Sequence, residues 1–226
     1  MYTDSTLHKQ LRNVVADQMR SAILEGRYKP GEWLRQERIA QDLGVSQMPV
    51  REALKELAAE GLIEHVPYRG ARVIAFSIDD VLDLYAHRAF LEGCAAYISA
   101  GIITDEELIE LKALQLEIEK YSAPESVIKY RELNRKFHQF ICNVSKREYL
   151  IRTLAQMWAA FPTMLIANFA ATAVHPLPDR DPFDIIEHRA IVSALELRNP
   201  SATEQAVKDH ILATGTQLVN FLKTQA

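Results

Sequence analysis

Gly44 separates two short amphipathic segments, Gln36-Glu37-Arg38-Ile39-Ala40-Gln41-Asp42-Leu43 and Gln47-Met48-Pro49-Val50-Arg51-Glu52-Ala53-Leu54. A glycine takes the left-handed conformation at low cost, so it stops the first helix and lets Val45-Ser46 start a second one at a steep angle. The pattern predicts a helix-turn-helix whose second helix presents its polar first turn outward, the arrangement that enters a DNA groove.

The surroundings extend this into a module. Leu7, Leu11, Val14, Val15, Met19, Ile23 and Leu24 recur at helical spacing and predict a first helix ending at Gly26. A second helix is read over 36–43 and a third over 46–60, stopped by Gly61. Leu62 to Val66 and Ala71 to Ala75 are short β-prone runs joined by Pro67-Tyr68-Arg69-Gly70, a two-stranded wing.

After residue 76 every periodic stretch is helical. Six helices are predicted, near 78–100, 105–121, 124–144, 147–173, 181–198 and 201–223. Thr104-Asp105-Glu106-Glu107 and Ser201-Ala202-Thr203-Glu204 read as capping boxes. The expected fold is mainly α: a winged helix-turn-helix over 1–76 followed by an all-α antiparallel bundle over 77–226.

Of the 226 residues 48% are hydrophobic and 25% charged, enough for a substantial core. The net charge of −4 is uneven: 11 Lys+Arg stand against 10 Asp+Glu in 1–76, and 15 against 20 thereafter. Bulk charge therefore does not attract nucleic acid, and placed arginines must do so. Two cysteines, Cys94 and Cys142, make no disulfide framework, and no secretory signal is visible, so a cytoplasmic protein is expected. Residues 153–174 carry no charge, but Gln156, Pro162, Thr163, Asn168 and Thr172 fit a kinked buried helix better than a membrane span.

The chain resembles the GntR-family bacterial transcription regulators of the FadR branch. The resemblance is carried by Pro30-Gly31-Glu32-Trp33-Leu34, Arg38-Ile39-Ala40, Leu43-Gly44-Val45-Ser46, Pro49-Val50-Arg51-Glu52-Ala53-Leu54, Glu60-Gly61-Leu62-Ile63 and Gly70. It implies that Arg38, Ser46, Gln47, Met48, Arg51, Arg69 and Gly70 touch DNA. Arg38 and Arg51 are forked donors suited to guanine edges or phosphates, and Gln47 is suited to adenine. Gln47 and Met48 depart from the family, where an arginine and a small hydroxyl residue are usual, so the base preference departs with them. A salt bridge to Glu37 or Glu52 is the rival role for Arg51.

In the helical part, Asn134 and His138 share one face of a helix, and His188 and His210 stand among apolar neighbours on two others. Three imidazoles suit zinc, nickel, copper or iron, although a lone histidine on an apolar face is more often a satisfied core group. The resemblance implies a divalent metal at Asn134, His138, His188 and His210, with zinc favoured by imidazole ligands. The family's usual aspartate is replaced by Asn134, whose amide oxygen brings no charge. Arg88 stands where the family has an arginine facing the ligand cavity. It suits a carboxylate clamp with Asn134 beside it, or an i,i+4 pair with Glu92.

The expected function is a ligand-responsive repressor, not an enzyme: a homodimer on double-stranded operator DNA, released by a small carboxylate effector, with no membrane contact. The alternative is a metal-dependent hydrolase with an accessory nucleic-acid module. It lacks an obvious general base, since Glu187 adjoins His188 in sequence but should point away around the helix.

Overall fold

The computed structural model describes residues 3–75, 77–121, 126–168 and 180–225. The chain forms two compact units, Met1–Ser77 with Met157–Ala173, and Ile78–Gln156 with Val174–Ala226.

In the first unit α1 (Thr3–Leu24), α2 (Gln36–Leu43) and α3 (Gln47–Ala59) enclose an apolar core. Val15, Met19 and Ile23 meet Ile39, Val50, Leu54 and Leu57, all nearly inaccessible to water. Burying side chains of this size stabilises by about 1.5–3 kcal/mol each before entropy is charged. Arg20 of α1 closes the α1–α3 contact with a two-pronged bond to Glu60, at 2.8 and 2.6 Å. Gly44 has φ +63°, and the turn returns the Val45 N–H to Ala40 and the Gly44 N–H to Gln41, the double bond pattern of a glycine-capped helix end.

The wing has one strand more than its sequence suggests. β2 (Ile63–Val66) and β3 (Gly70–Val73) pair as expected, and β1 (Trp33–Leu34) adds to the far side of β3 in the order β1-β3-β2, all antiparallel. Two residues are too short to show a period of two, so β1 is set by tertiary pairing of Trp33 with Arg72 and Leu34 with Ala71.

The second unit contains α4 (Ile78–Ile102), α5 (Asp105–Lys120), α6 (Val127–Val144), most of the N-terminal half of α7 (Glu148–Asn168), α8 (Arg180–Glu196) and α9 (Pro200–Gln225). The Thr104–Glu107 capping box forms with both reciprocal bonds. The box expected at Ser201 does not cap α9. The cap lies two residues earlier: Asn199 Oδ1 accepts from the Ala202 N–H at 3.1 Å, and Pro200 takes the first helical position, for which its fixed φ is suited. Pro124, whose fixed φ suits the first position of the helix expected over 124–144, and the end of the uncharged 153–174 stretch lie outside the described residues; Trp158, within that stretch, is buried.

Candidate functional site

In the first unit all seven predicted contact residues, Arg38, Ser46, Gln47, Met48, Arg51, Arg69 and Gly70, are solvent-exposed. On α3 the division is sharp: Val50, Ala53, Leu54 and Leu57 are buried while Gln47, Met48 and Arg51 face out. Ser46 occupies the N-cap position, yet its hydroxyl makes no cap hydrogen bond. The first N–H groups of α3 are thereby left facing outward, where a phosphate oxygen is the natural acceptor.

Arg51 Nη2 lies 3.1 Å from Met48 Sδ, and its Nε lies 3.7 Å from Glu52. Arg38 is 3.9 Å from Asp42. These are exposed pairs of the kind worth a few tenths of a kcal/mol, so little free energy ties either guanidinium to its partner.

The second unit brings three of its predicted site residues together from three helices. His138 of α6, His188 of α8 and His210 of α9 are buried, and one ring nitrogen of each lies within 4.8 Å of the others. His138 Nε2 and His210 Nε2 are 3.0 Å apart. The outer nitrogens are each met by a different acceptor: His138 Nδ1 lies 3.0 Å from Glu92 Oε2 of α4, His188 Nδ1 bonds Gln115 Oε1 of α5 at 3.0 Å, and His210 Nδ1 bonds Glu187 Oε2 of α8 at 2.8 Å.

That pattern has a chemical consequence. An ionised carboxylate only accepts, so Glu92 and Glu187 place the ring protons on the outer nitrogens of His138 and His210. Two lone pairs then face each other across 3.0 Å, a repulsive contact unless a cation stands between them. Outer nitrogens held by carboxylate or amide oxygen, with inner nitrogens converging, is the arrangement that orients imidazoles on a metal. The donor set fits a divalent cation of borderline softness.

Asn134 is half-buried one turn ahead of His138. Arg88 is nearly buried and its Nε donates to Glu92 Oε1 at 2.9 Å, so the i,i+4 pair weighed from sequence does form. Burial opposes the charge on Glu92, but Arg88 and then His138 overcome it and hold that carboxyl at about 2. Burial likewise opposes the Arg88 charge, and Glu92 more than offsets it, raising Arg88. Glu92 is thus an ionised hinge between a guanidinium and an imidazole.

The N-terminal region matches the family described as bacterial regulatory proteins, gntR family, over residues 11–73, and the helical region matches the FCD domain over residues 83–213. The chain belongs to the GntR family. Like other GntR regulators with an FCD domain, it is a DNA-binding, ligand-responsive transcriptional regulator and not an enzyme. It is 29% identical over 199 residues to the HTH-type transcriptional regulator YdhC of Bacillus subtilis (strain 168), covering 87% of this chain and 84% of that one. It is 29% identical over 214 residues to a probable D-xylose utilization operon transcriptional repressor of Paenarthrobacter nicotinovorans, covering 93% and 91%. A solved structure described as Lar, which controls expression of the Listeria monocytogenes agr system, shares the fold with TM-score 0.69 at 19% identity, covering 91% of this chain and 95% of that one.

Within this GntR regulator, Glu92, Gln115, Asp184 and Tyr130 complete the histidine cluster; Glu92 was expected only as a partner of Arg88, and the other three were not singled out from sequence. Tyr130 OH donates to Asp184 Oδ2 at 3.0 Å, and Asp184 Oδ1 lies 3.7 Å from His210 Nδ1. A signal was available: Glu92 falls in the apolar row Tyr85, Ala89, Ala96, and Gln115 in the row Leu111, Ile118, so each is a polar residue at a core position. Glu187, the one base the hydrolase alternative had, is spent on His210, and family membership removes that alternative. No described helix is long and apolar enough to cross a membrane.

Proposed function

We propose that this regulator, of the FadR branch, binds a two-fold-symmetric operator as a homodimer and is released when a small carboxylate enters the helical unit. Residues 1–76 serve as the DNA-binding domain and 77–226 as the effector and dimerisation domain. Arg38, Ser46, Gln47, Met48, Arg51, Arg69 and Gly70 make the DNA contacts; their common exposure on one module supports this. A single module reads too few bases, and pairing two doubles the contacts and requires matching half-sites. Phe90, Cys94 and Tyr97 form an exposed strip on α4 at i, i+4 and i+7, which supports dimerisation.

The convergence of His138, His188 and His210, each with its outer nitrogen held, is the observation that carries the effector reading. These three residues, with Asn134, would hold a divalent metal, zinc by ligand type. Such an ion would supply the positive charge on which a carboxylate effector is recognised. Arg88 and Asn134 line the effector side, Arg88 being kept charged by Glu92. Repression is the mode favoured, since a dimer on promoter DNA obstructs polymerase without further parts and one relative is named a repressor. The cytoplasm, where promoter DNA is, is the compartment.

Selection from a random-sequence duplex pool, followed by metal analysis of protein purified without chelator, tests this reading. An enriched two-fold-symmetric sequence and about one zinc per chain, lost in His138→Ala, support it. No enriched sequence, or zinc retained in His138→Ala, overturns the corresponding half.

A further inference from the structure

Arg135 of α6 is a cation set beside another cation, Arg88 of α4. The two helices are packed together and advance in the same direction: Glu92 Oε2 lies 3.0 Å from His138 Nδ1, and farther on the Ser99 hydroxyl donates to the Ile141 carbonyl at 2.7 Å. One turn back from the Glu92–His138 contact stand Arg88 on α4 and Asn134 and Arg135 on α6. Arg135 makes no hydrogen bond or ion pair among the described residues, and burial, followed by the charge of Arg88, lowers its pKa.

Glu92 does not neutralise both guanidiniums, since one of its oxygens accepts from Arg88 and the other meets His138. The α8 carboxylates Asp184 and Glu187 are engaged with Tyr130 and His210. An arginine stays protonated at any working pH, so the like charges repel at all times and no described residue offsets the cost at Arg135. A local cost of that kind beside a ligand site points to an anion that removes it.

We propose that Arg88 and Arg135 together receive a second anionic group of the effector, so that the effector class is a small carboxylic acid bearing a second carboxylate or a phosphoryl group. The inference rests on the effector reading above and deepens it. One carboxylate lies at the histidine cluster and the other anion one helical turn away, about 4.5–6 Å along α6, a span that a chain of a few carbons covers. Arg88 is nearly buried and Arg135 exposed, so the first forms the floor of the subsite and the second its rim. Guanidinium forks bind pairs of carboxylate or phosphate oxygens, and a mono-acid leaves Arg135 uncompensated. Mono-acids are thereby discriminated against by charge, not by size.

Isothermal titration calorimetry of the protein purified without chelator, with butyrate, glutarate and 4-phosphonobutyrate, tests this. The three probes share one carbon chain and differ only in what ends it. Glutarate or 4-phosphonobutyrate should bind about 10-fold or more tighter than butyrate, and the tighter of the two identifies the second group. Arg135→Ala should bring both down to the butyrate level, and Arg135→Lys, a point charge without a fork, should keep part of the advantage. The thermal midpoint of ligand-free Arg135→Ala should equal or exceed that of the unaltered protein, because alanine suits a helix and a like-charge contact is removed.

Butyrate binding as tightly as both two-anion probes, or an advantage kept in Arg135→Ala, would overturn this subsite while leaving the effector reading in place. A fall in thermal midpoint together with affinity for all three probes would assign Arg135 a structural role and overturn it as well. Absence of binding by every probe would overturn the effector reading, and this inference with it.

Discussion

Gln115 Oε1 accepts from His188 Nδ1 at 3.0 Å while its own Nε2 donates to Glu119 at 3.2 Å. Glu119 is in turn gripped by Arg189 at 2.8 and 2.7 Å, which lowers its pKa, and an ionised carboxylate has no proton to give. The amide of Gln115 is therefore oriented from the surface inward: Arg189 sets Glu119, Glu119 sets Gln115, and Gln115 selects the ring proton of His188. The remaining nitrogen of His188 is left as a lone pair in the cluster.

Gln115→Leu removes that selection without adding charge. Zinc affinity, measured by competition with a chromophoric chelator, should drop about 10- to 100-fold, the usual cost of losing a partner behind a metal-bound imidazole. Affinity equal to that of the unaltered protein would show that the Arg189–Glu119–Gln115 chain plays no part in zinc affinity.

Glu92 is wholly buried and Arg88 nearly so. Glu92→Ala strands the guanidinium, and urea unfolding should show a loss of about 3–5 kcal/mol. Replacing both residues, as Arg88→Met with Glu92→Leu, should recover most of it, because an apolar pair of similar volume carries no desolvation cost. A double variant as unstable as the single one would mean that the pair is not the source of the loss.

Gly215 lets α9 lie against α4. A Cβ built there meets Tyr85 Cβ and Cγ at 2.7 Å. Gly215→Ala should destabilise by about 1–3 kcal/mol through overpacking. The same substitution in a Tyr85→Ala background should cost clearly less, and equal costs in the two backgrounds would rule out this contact as the cause.

The parts legible in the sequence were those decided locally. Gly44 and the apolar row Ile39, Val50, Leu54 placed the helix-turn-helix, with α2 running over Gln36–Leu43 as read. Six helices follow residue 76 among the described residues, and His138, His188 and His210 meet because each shares a face with apolar residues. What escaped depended on partners distant in the chain. β1 exists through pairing with β3, and Glu92 and Gln115 acquire meaning only when α4 and α5 bring them to His138 and His188. Asn199 outcompetes Ser201 as a cap because Pro200 fixes the first helical residue, a cue present in the sequence itself.

Arg51 and Glu52 are neighbours on α3 with opposite expected effects on DNA. Arg51→Ala should lower affinity for the selected duplex about 10- to 100-fold. Glu52→Ala removes a like-charge neighbour of phosphate and a weak partner of Arg51, so affinity should hold or rise. Band-shift titrations of both variants check this, and a loss of equal size in each would point to folding instead of contact.

The most direct test of the regulator account is fluorescence anisotropy of the unaltered chain against a pool-selected duplex and a shuffled one, at 50 and 200 mM salt. The account predicts preference for the selected duplex and a fall in affinity of about 10³-fold or more across that salt range, as phosphate contacts from both subunits release counterions. Equal affinity for the two duplexes, or binding indifferent to salt, would contradict it.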